Sequence, residues 1–388
     1  MLFRGWPTNW SRSGMTLSCS RNDSQTSAKL EACWPKALRL DGSVRDPNAL
    51  HMSMLEQVRQ RAHDFDVLHF HLDYYPFSLF ARQPTPFVTT LHGRLDLPEH
   101  KVVFATFPSI PVISISDAQR RPVPRAGWIR TIHHGLPDHL LTPQPVSPTY
   151  FGFLGRISPE KGVDQAIWIA RRCGLPLKIA AKVDAVDRDY FESEIRKLLN
   201  PDVEYIGEIT DSEKASFLSG AIALLAPIAW PEPFGLVLIE AMACGTPVIA
   251  FNRGSIPEII EDGLTGFVVE DKEEAVTATD RLSRLSRRAI RRRFEERYTA
   301  RRMARDYLMV YRTLIEKSHT DSCLDGTTIV NRAPSIAADF IDKSAVGTVA
   351  AMSDKDFGRT FEKPLGALAI VGQHGCAIGQ SDERCDRD

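Results

Sequence analysis

The strongest constraint on this chain is an alternation. Short runs that are apolar almost throughout are separated by stretches with helical periodicity. The runs are "DVLHFHL" (66–72), "PFVTTLH" (86–92), "PVISIS" (111–116), "TYFGFLG" (149–155), "PLKIAA" (176–181), "VEYIG" (203–207), "AIALLAP" (221–227), "PVIAF" (247–251) and "GFVV" (266–269). Helical patterns near 161–173, 187–199, 211–219, 235–243 and 272–285 lie between the later runs. A strand that is apolar on both sides must be covered on both faces, and helices between such strands point to parallel pairing. The pattern therefore predicts an α/β protein with doubly wound parallel sheets. The proline-rich segment "LPDHLLTPQPVSPT" (136–149) interrupts it, and the alternation restarts at Tyr150. Two Rossmann-like domains are predicted, 31–135 and 150–317, joined by a linker at 136–149 and facing a cleft that is the default ligand site.

The two ends fit this plan poorly. A doubly wound domain opens with an apolar strand and a glycine-rich turn. Residues 1–30 offer only a weak strand candidate, "MTLSC", and read as an atypical or disordered start. The N-terminal domain is expected to be incomplete. Residues 318–388 mix Ser, Thr, Gly and Asp with scattered apolar residues and read as a largely disordered tail.

Composition excludes several classes. A hydrophobic fraction of 43 % over 388 residues supplies full cores for two or three domains. The net charge of −1 gives no global field towards nucleic acid or membrane. The seven cysteines are scattered without a Cys-x-x-Cys pair, which argues against a disulfide framework or zinc site and fits a reducing cytoplasm. The longest uncharged apolar run, "GAIALLAPIAW", is too short to span a bilayer. Residues 1–20 lack the apolar core of a signal peptide, and a plain disordered start is preferred to a transit peptide. The arginine-dense stretch 281–305 suggests either an anionic partner, such as a membrane surface or nucleic acid, or a solvated helix face. The solvated face is preferred, because no nucleic-acid module accompanies the charge; a peripheral membrane contact through 281–305 stays open.

Two windows carry chemistry. In "WPEPFGLVLIEAMACGTPVIA", Pro231 and Pro233 keep Glu232 out of a helix, and Gly235 leads into an apolar helix that ends at Gly245. The free N–H groups of Gly235 and Leu236 make an anion site, with Glu232 beside it and Glu240 more than a turn inside. Two carboxylates so placed suit a ligand with both phosphate and hydroxyl groups; a buried capped helix with one solvated glutamate is the plainer alternative. In "FLGRISPEKGVDQAI", a strand ends at Gly155 and a helix start follows. Arg156 and Lys161 thus stand at the carboxyl end of a strand, where open parallel sheets bind ligands and where two cations could bracket a diphosphate.

"GRISPEKG", "WPEPFGLVLIEAMACGTPVIA" and "RGSIPEIIEDGLTGFVV" together strongly resemble glycosyltransferase family four, a retaining GT-B group that uses nucleotide sugars. The match is most specific from about Tyr150 to Val269 and looser through "DVLHFHLDYYPF", "VTTLHGRLDLP", "PVISISDAQR" and "IHHGLP". The resemblance implies that Glu232 contacts the donor sugar, that the amides of Phe234, Gly235 and Leu236 cradle the diphosphate, and that Glu240 binds the ribose. It implies that Arg156 and Lys161 neutralise the diphosphate and the leaving group, and that His92 faces the donor sugar. A strand-end histidine in a packing role is the alternative for His92. No divalent metal and no cofactor are expected, the nucleotide-diphosphate sugar being a substrate. The acceptor would be a sugar or a lipid-linked molecule, and the setting the cytoplasm, with or without peripheral membrane contact. His69 and His71 share one strand face and are read as packing.

The family's mechanism is front-face substitution, in which the departing phosphate deprotonates the acceptor. That agrees with the lack of an acid–base carboxylate pair of glycosidase type. Against the family pattern, the opening strand and glycine-rich loop are missing, so the chain reads as truncated or started late. The alternatives are a sugar-nucleotide epimerase of the same fold and a catalytically dead nucleotide-sugar-binding remnant.

Overall fold

The computed structural model describes residues 15–17, 34, 41–324 and 368–372. Its strands are β1 (Met15–Leu17), β2 (Val67–His71), β3 (Phe87–Thr90), β4 (Val112–Ser114), β5 (Trp128–Thr131), β6 (Tyr150–Arg156), β7 (Leu177–Lys182), β8 (Val203–Gly207), β9 (Ala221–Ala226), β10 (Val248–Phe251), β11 (Gly266–Val269) and β12 (Leu368–Gly372). All nine apolar runs form strands. The helices expected at 211–219 and 235–243 run Asp211–Ser219 and Leu236–Ala243. The one expected at 187–199 is a succession of short helical turns of different pitch, with Phe191 and Ile195 buried.

The chain divides into two compact units. One comprises residues 1–91, 109–113 and 307–388; the other comprises 92–108 and 114–306. In the first, β2, β3 and β4 pair in parallel, and β12 lies parallel to β2 on its other side, with β1 antiparallel outside it. Ile370 and Val371 of β12 are buried. The expected absence of an opening strand and the disordered start fall mostly outside the described residues. So does most of the expected disordered tail. Within the described part of 318–388 the final helix continues to Leu324, and Leu368–Gly372 is a strand.

His69 shows why the first sheet holds polar groups in its interior. Its Nδ1 lies 2.7 Å from the Tyr311 hydroxyl and its Nε2 2.8 Å from Thr90 Oγ1. A buried imidazole is tolerated when both nitrogens are satisfied, and this one fastens Tyr311 of the final helix to β2 and β3. The packing expectation for His69 agrees with that placement.

In the second unit the sheet order is β11-β10-β9-β6-β7-β8, all parallel. Helices cover both faces, so the apolar residues divide into two core clusters. One gathers Leu224, Leu238, Met242 and Val248 with Tyr298; the other gathers Phe151, Ile167, Ile179 and Phe267. The strand Trp128–Thr131 escapes the sequence pattern, because it is short and only half-buried. Among the described residues no helix is long and apolar enough to cross a membrane.

Candidate functional site

The site grows from the start of the helix Leu236–Ala243. Gly235 precedes it with φ 79°, a left-handed conformation that glycine takes at no steric cost, and no side chain caps the helix. The N-terminal N–H groups of such a helix are available to an anion. The loop before it is clamped from two sides. Ser116 Oγ donates to the Pro233 carbonyl at 2.6 Å, and the Ser255 N–H donates to the Glu232 carbonyl at 2.9 Å. Gly254 makes the second clamp possible: a Cβ there would stand 2.3 Å from the Glu232 oxygen and 2.5 Å from its nitrogen. Phe234 is buried, with the His134 ring meeting it edge-on at a centroid distance of 4.8 Å.

Glu232 and Lys161 come together. Lys161 Nζ lies 2.5 Å from Glu232 Oε2, and the Trp230 indole N–H donates to the same oxygen at 3.1 Å. The Trp230 ring has the Lys161 ammonium 5.4 Å from its centroid and the Arg94 guanidinium 5.7 Å away, both within cation–π range. The carboxylate is thus held in one orientation by an ammonium and an indole that are themselves stacked.

Arg156 has different company. Its guanidinium lies 2.6 Å from Glu160, 3.8 Å from Asp184 and 3.7 Å from Asp187, with 43 % of the side chain exposed. A short backbone link connects it to the rest of the site: the turn Pro159–Lys161 follows β6, and the Glu160 carbonyl accepts from the Ala229 N–H at 2.9 Å. Arg156 and Lys161 both stand at the carboxyl end of β6, but each is paired with carboxylates of its own.

Glu240 is buried inside the helix, 4 % exposed. Its Oε1 accepts from Lys214 Nζ at 2.8 Å, and its Oε2 is buried with no hydrogen-bond partner. Lys214 is itself 3 % exposed and has Asp211 at 3.4 Å. A lysine this deep is rare unless paired. An orphaned carboxylate oxygen costs about 1–3 kcal/mol or more, so its persistence points to a partner supplied from outside the chain.

His92 stacks on His134, with ring centroids 5.3 Å apart and planes 10° from parallel. His134 in turn touches Phe234, so His92 joins the helix-start loop through one intervening ring. Burial holds the His134 pKa well below its ordinary value, helped by the nearby His92, Arg302 and His133 charges. Arg302 anchors this segment by donating to the carbonyls of His133 and His134 at 2.6 and 3.0 Å. Among the described residues no group of three His, Cys, Asp or Glu side chains could hold a metal ion.

Several of the arginines in 281–305 are occupied inside the fold. Arg287 donates to main-chain carbonyls of Ser219, Ala221 and Ile222, and Arg291 to those of Asp138, Leu141 and Ala243. Arg293 and Arg297 share Glu261. These residues tie the helix Arg287–Arg297 to the rest of the second unit.

Sequence reasoning missed Lys214, Trp230, Ser116, Gly254 and His134. A signal existed for Lys214: with Phe217 and Leu218 it occupies i, i+3 and i+4 of Asp211–Ser219, so it sits on the apolar face. The clamps by Ser116 and Gly254 join residues far apart in sequence and left no local signal.

A family model described as glycosyl transferases group 1 matches residues 142–301. The phosphatidyl-myo-inositol mannosyltransferase of Mycobacterium leprae is 30 % identical over 258 residues, covering 61 % of this chain and 67 % of that protein. The alpha-maltose-1-phosphate synthase of Mycobacterium tuberculosis is 32 % identical over 139 residues, covering 34 % of this chain and 36 % of that protein. That match spans about a third of the synthase's length. Among solved structures, Anabaena Alr3699/HepE in complex with UDP and glucose is similar, with a TM-score of 0.57 at 21 % identity, over 68 % of this chain and 82 % of that one. This likeness shows the fold, the two-sheet α/β arrangement known as GT-B.

Proposed function

The chain belongs to the group 1 glycosyl transferases, and from that premise we propose that it moves a sugar from a nucleotide-diphosphate sugar to an acceptor hydroxyl with retention of configuration, as a member of family four. The observation that carries the reading is the grouping around one uncapped helix start. The Lys161–Glu232 pair stands beside it, and Glu240 lies within it with an unpartnered oxygen. The UDP and glucose of the HepE complex support a nucleotide-sugar donor.

Each residue then has a task. The amides of Phe234, Gly235 and Leu236 hold the diphosphate, and Lys161 adds charge: an ammonium has three donors, and Glu232 takes one. Glu232 binds sugar hydroxyls and Glu240 the ribose. Arg156 reaches a phosphate by exchanging its carboxylate partners. Exposed pairs of this kind are worth about 0–1 kcal/mol, so the exchange is cheap. Positive charge fixed before reaction stabilises the leaving diphosphate as charge builds on it. His92 lines the sugar side. The departing phosphate takes the acceptor proton, so no separate base and no metal is needed. The acceptor is a sugar or lipid-linked hydroxyl, and the enzyme works in the cytoplasm, with any membrane contact peripheral.

The test begins with a thermal-shift screen of nucleotide sugars. A ligand at a hundred times its dissociation constant stabilises by about 2.7 kcal/mol. Sugar transfer is then measured with and without acceptor. Product only with acceptor supports transfer, whereas a new nucleotide sugar without acceptor would replace it with epimerisation. Binding without either product would leave a nucleotide-sugar-binding protein.

A further inference from the structure

Lys214 has no place in the roles above, yet it is the most deeply buried cation near them. It lies on the helix Asp211–Ser219, which a reciprocal capping box between Thr210 and Glu213 fixes at its start. From there Nζ reaches Glu240 Oε1 at 2.8 Å and Asp211 at 3.4 Å. The side chains of Lys214 and Glu240 are 3 % and 5 % exposed. A carboxylate has two equivalent oxygens and, left alone, no preferred rotation about its last bond. A single ammonium bound to one oxygen restricts that freedom and leaves the other oxygen with both of its lone pairs free.

We propose that Lys214 is a positioning residue for donor recognition: by occupying Oε1 of Glu240 it fixes Oε2 as the acceptor for the hydroxyls of the nucleotide's ribose. This rests on the reading that Glu240 binds ribose. In a site closed to water, a charge-assisted bond from a hydroxyl to such an oxygen is strongest. An arginine suits this task poorly. Its planar fork favours both carboxylate oxygens at once and so competes for the one that the ribose needs.

The test measures selectivity and not mere affinity. Calorimetry compares UDP, GDP and ADP with their 2′,3′-dideoxy counterparts, using the native protein, Lys214→Arg, Lys214→Met and Glu240→Gln. The native protein should prefer the best-bound diphosphate over its dideoxy form by about tenfold, the value of one good hydrogen bond to a charged group. Lys214→Arg keeps an ion pair in the core, so a purely structural lysine would leave the preference intact. The proposal expects it to fall to twofold or less, with Lys214→Met behaving alike if it folds. A preference that survives Lys214→Arg but is lost in Glu240→Gln overturns the role of Lys214 and leaves Glu240 on the ribose. A preference that survives Glu240→Gln overturns the ribose reading itself, and with it this inference; so does the absence of any diphosphate binding.

Discussion

The site contains two lysine–glutamate pairs that look alike in a list of contacts and differ in every physical respect. Lys161–Glu232 joins a turn to a loop, with 23 % and 11 % of the side chains exposed. Lys214–Glu240 joins two helices in the interior, at 3 % and 5 %. Both partners of the first pair border water, so a ligand can insert itself or share the donors. The second pair is closed, so its geometry is set before any ligand arrives. An open pair can therefore take part in exchange with a substrate. A closed one stays intact, because separating two buried charges costs more than one ligand contact returns, and it can meet a ligand only through the carboxylate oxygen that the lysine leaves unpartnered.

The sharpest way to break this contrast is to remove each ammonium. Lys214→Met leaves an uncompensated buried carboxylate and should destabilise folding by about 3–5 kcal/mol, whereas Lys161→Met, which leaves Glu232 its Trp230 N–H, should cost about 1–2 kcal/mol. Urea denaturation of the two variants checks this, and equal losses would erase the distinction. Next comes the support of the open pair. Gly254→Ala places a Cβ against the Glu232 main chain, so the loop must shift; a stability loss of about 1–3 kcal/mol is expected, together with loss of sugar transfer out of proportion to it. Third, Glu240→Ala should weaken donor binding by about 1–3 kcal/mol, read by calorimetry, if its free oxygen serves the ribose.

The smallest effect concerns pH. His134 is held neutral in the fold, while an unfolded histidine titrates near 6.5. Its folded pKa is lowered, so the stability it contributes is fully present above about 6.5 and is lost as the pH falls below that value. The slope from one such group is at most about 1.4 kcal/mol per pH unit. His134→Phe should flatten the fall in melting temperature between about pH 6.5 and 5. His51, whose pKa burial also lowers, keeps part of the slope.

Much of the fold could be read in advance, because a parallel strand covered on both faces must be apolar along its whole length. All nine such runs are strands, and Gly235 and Gly245 bound the helix between them with positive φ. The strand Trp128–Thr131 could not be read, since it carries an arginine and only partial burial. Nor could the role of Leu368–Gly372 beside β2, because pairing over such a separation leaves no local periodicity. Within the site, Glu232 and Glu240 stood out by their spacing around a helix start. Arg156 and Lys161 stood out by their position after a strand, but their separate carboxylate partners did not.

The sequence by itself determined which residues lie at strand ends and helix starts, since periodicity and chain-breaking residues act within a few positions. It thereby set the fold class and the candidate anion site, while the resemblance of whole motifs pointed to the glycosyl transferases. Tertiary structure alone decided which charge meets which. The partner of Glu240 comes from the helix Asp211–Ser219, and the clamps on the Glu232 loop come from Ser116 and Ser255. Electrostatic and hydrogen-bond energies depend on distance in space and on burial, and neither is a function of distance along the chain.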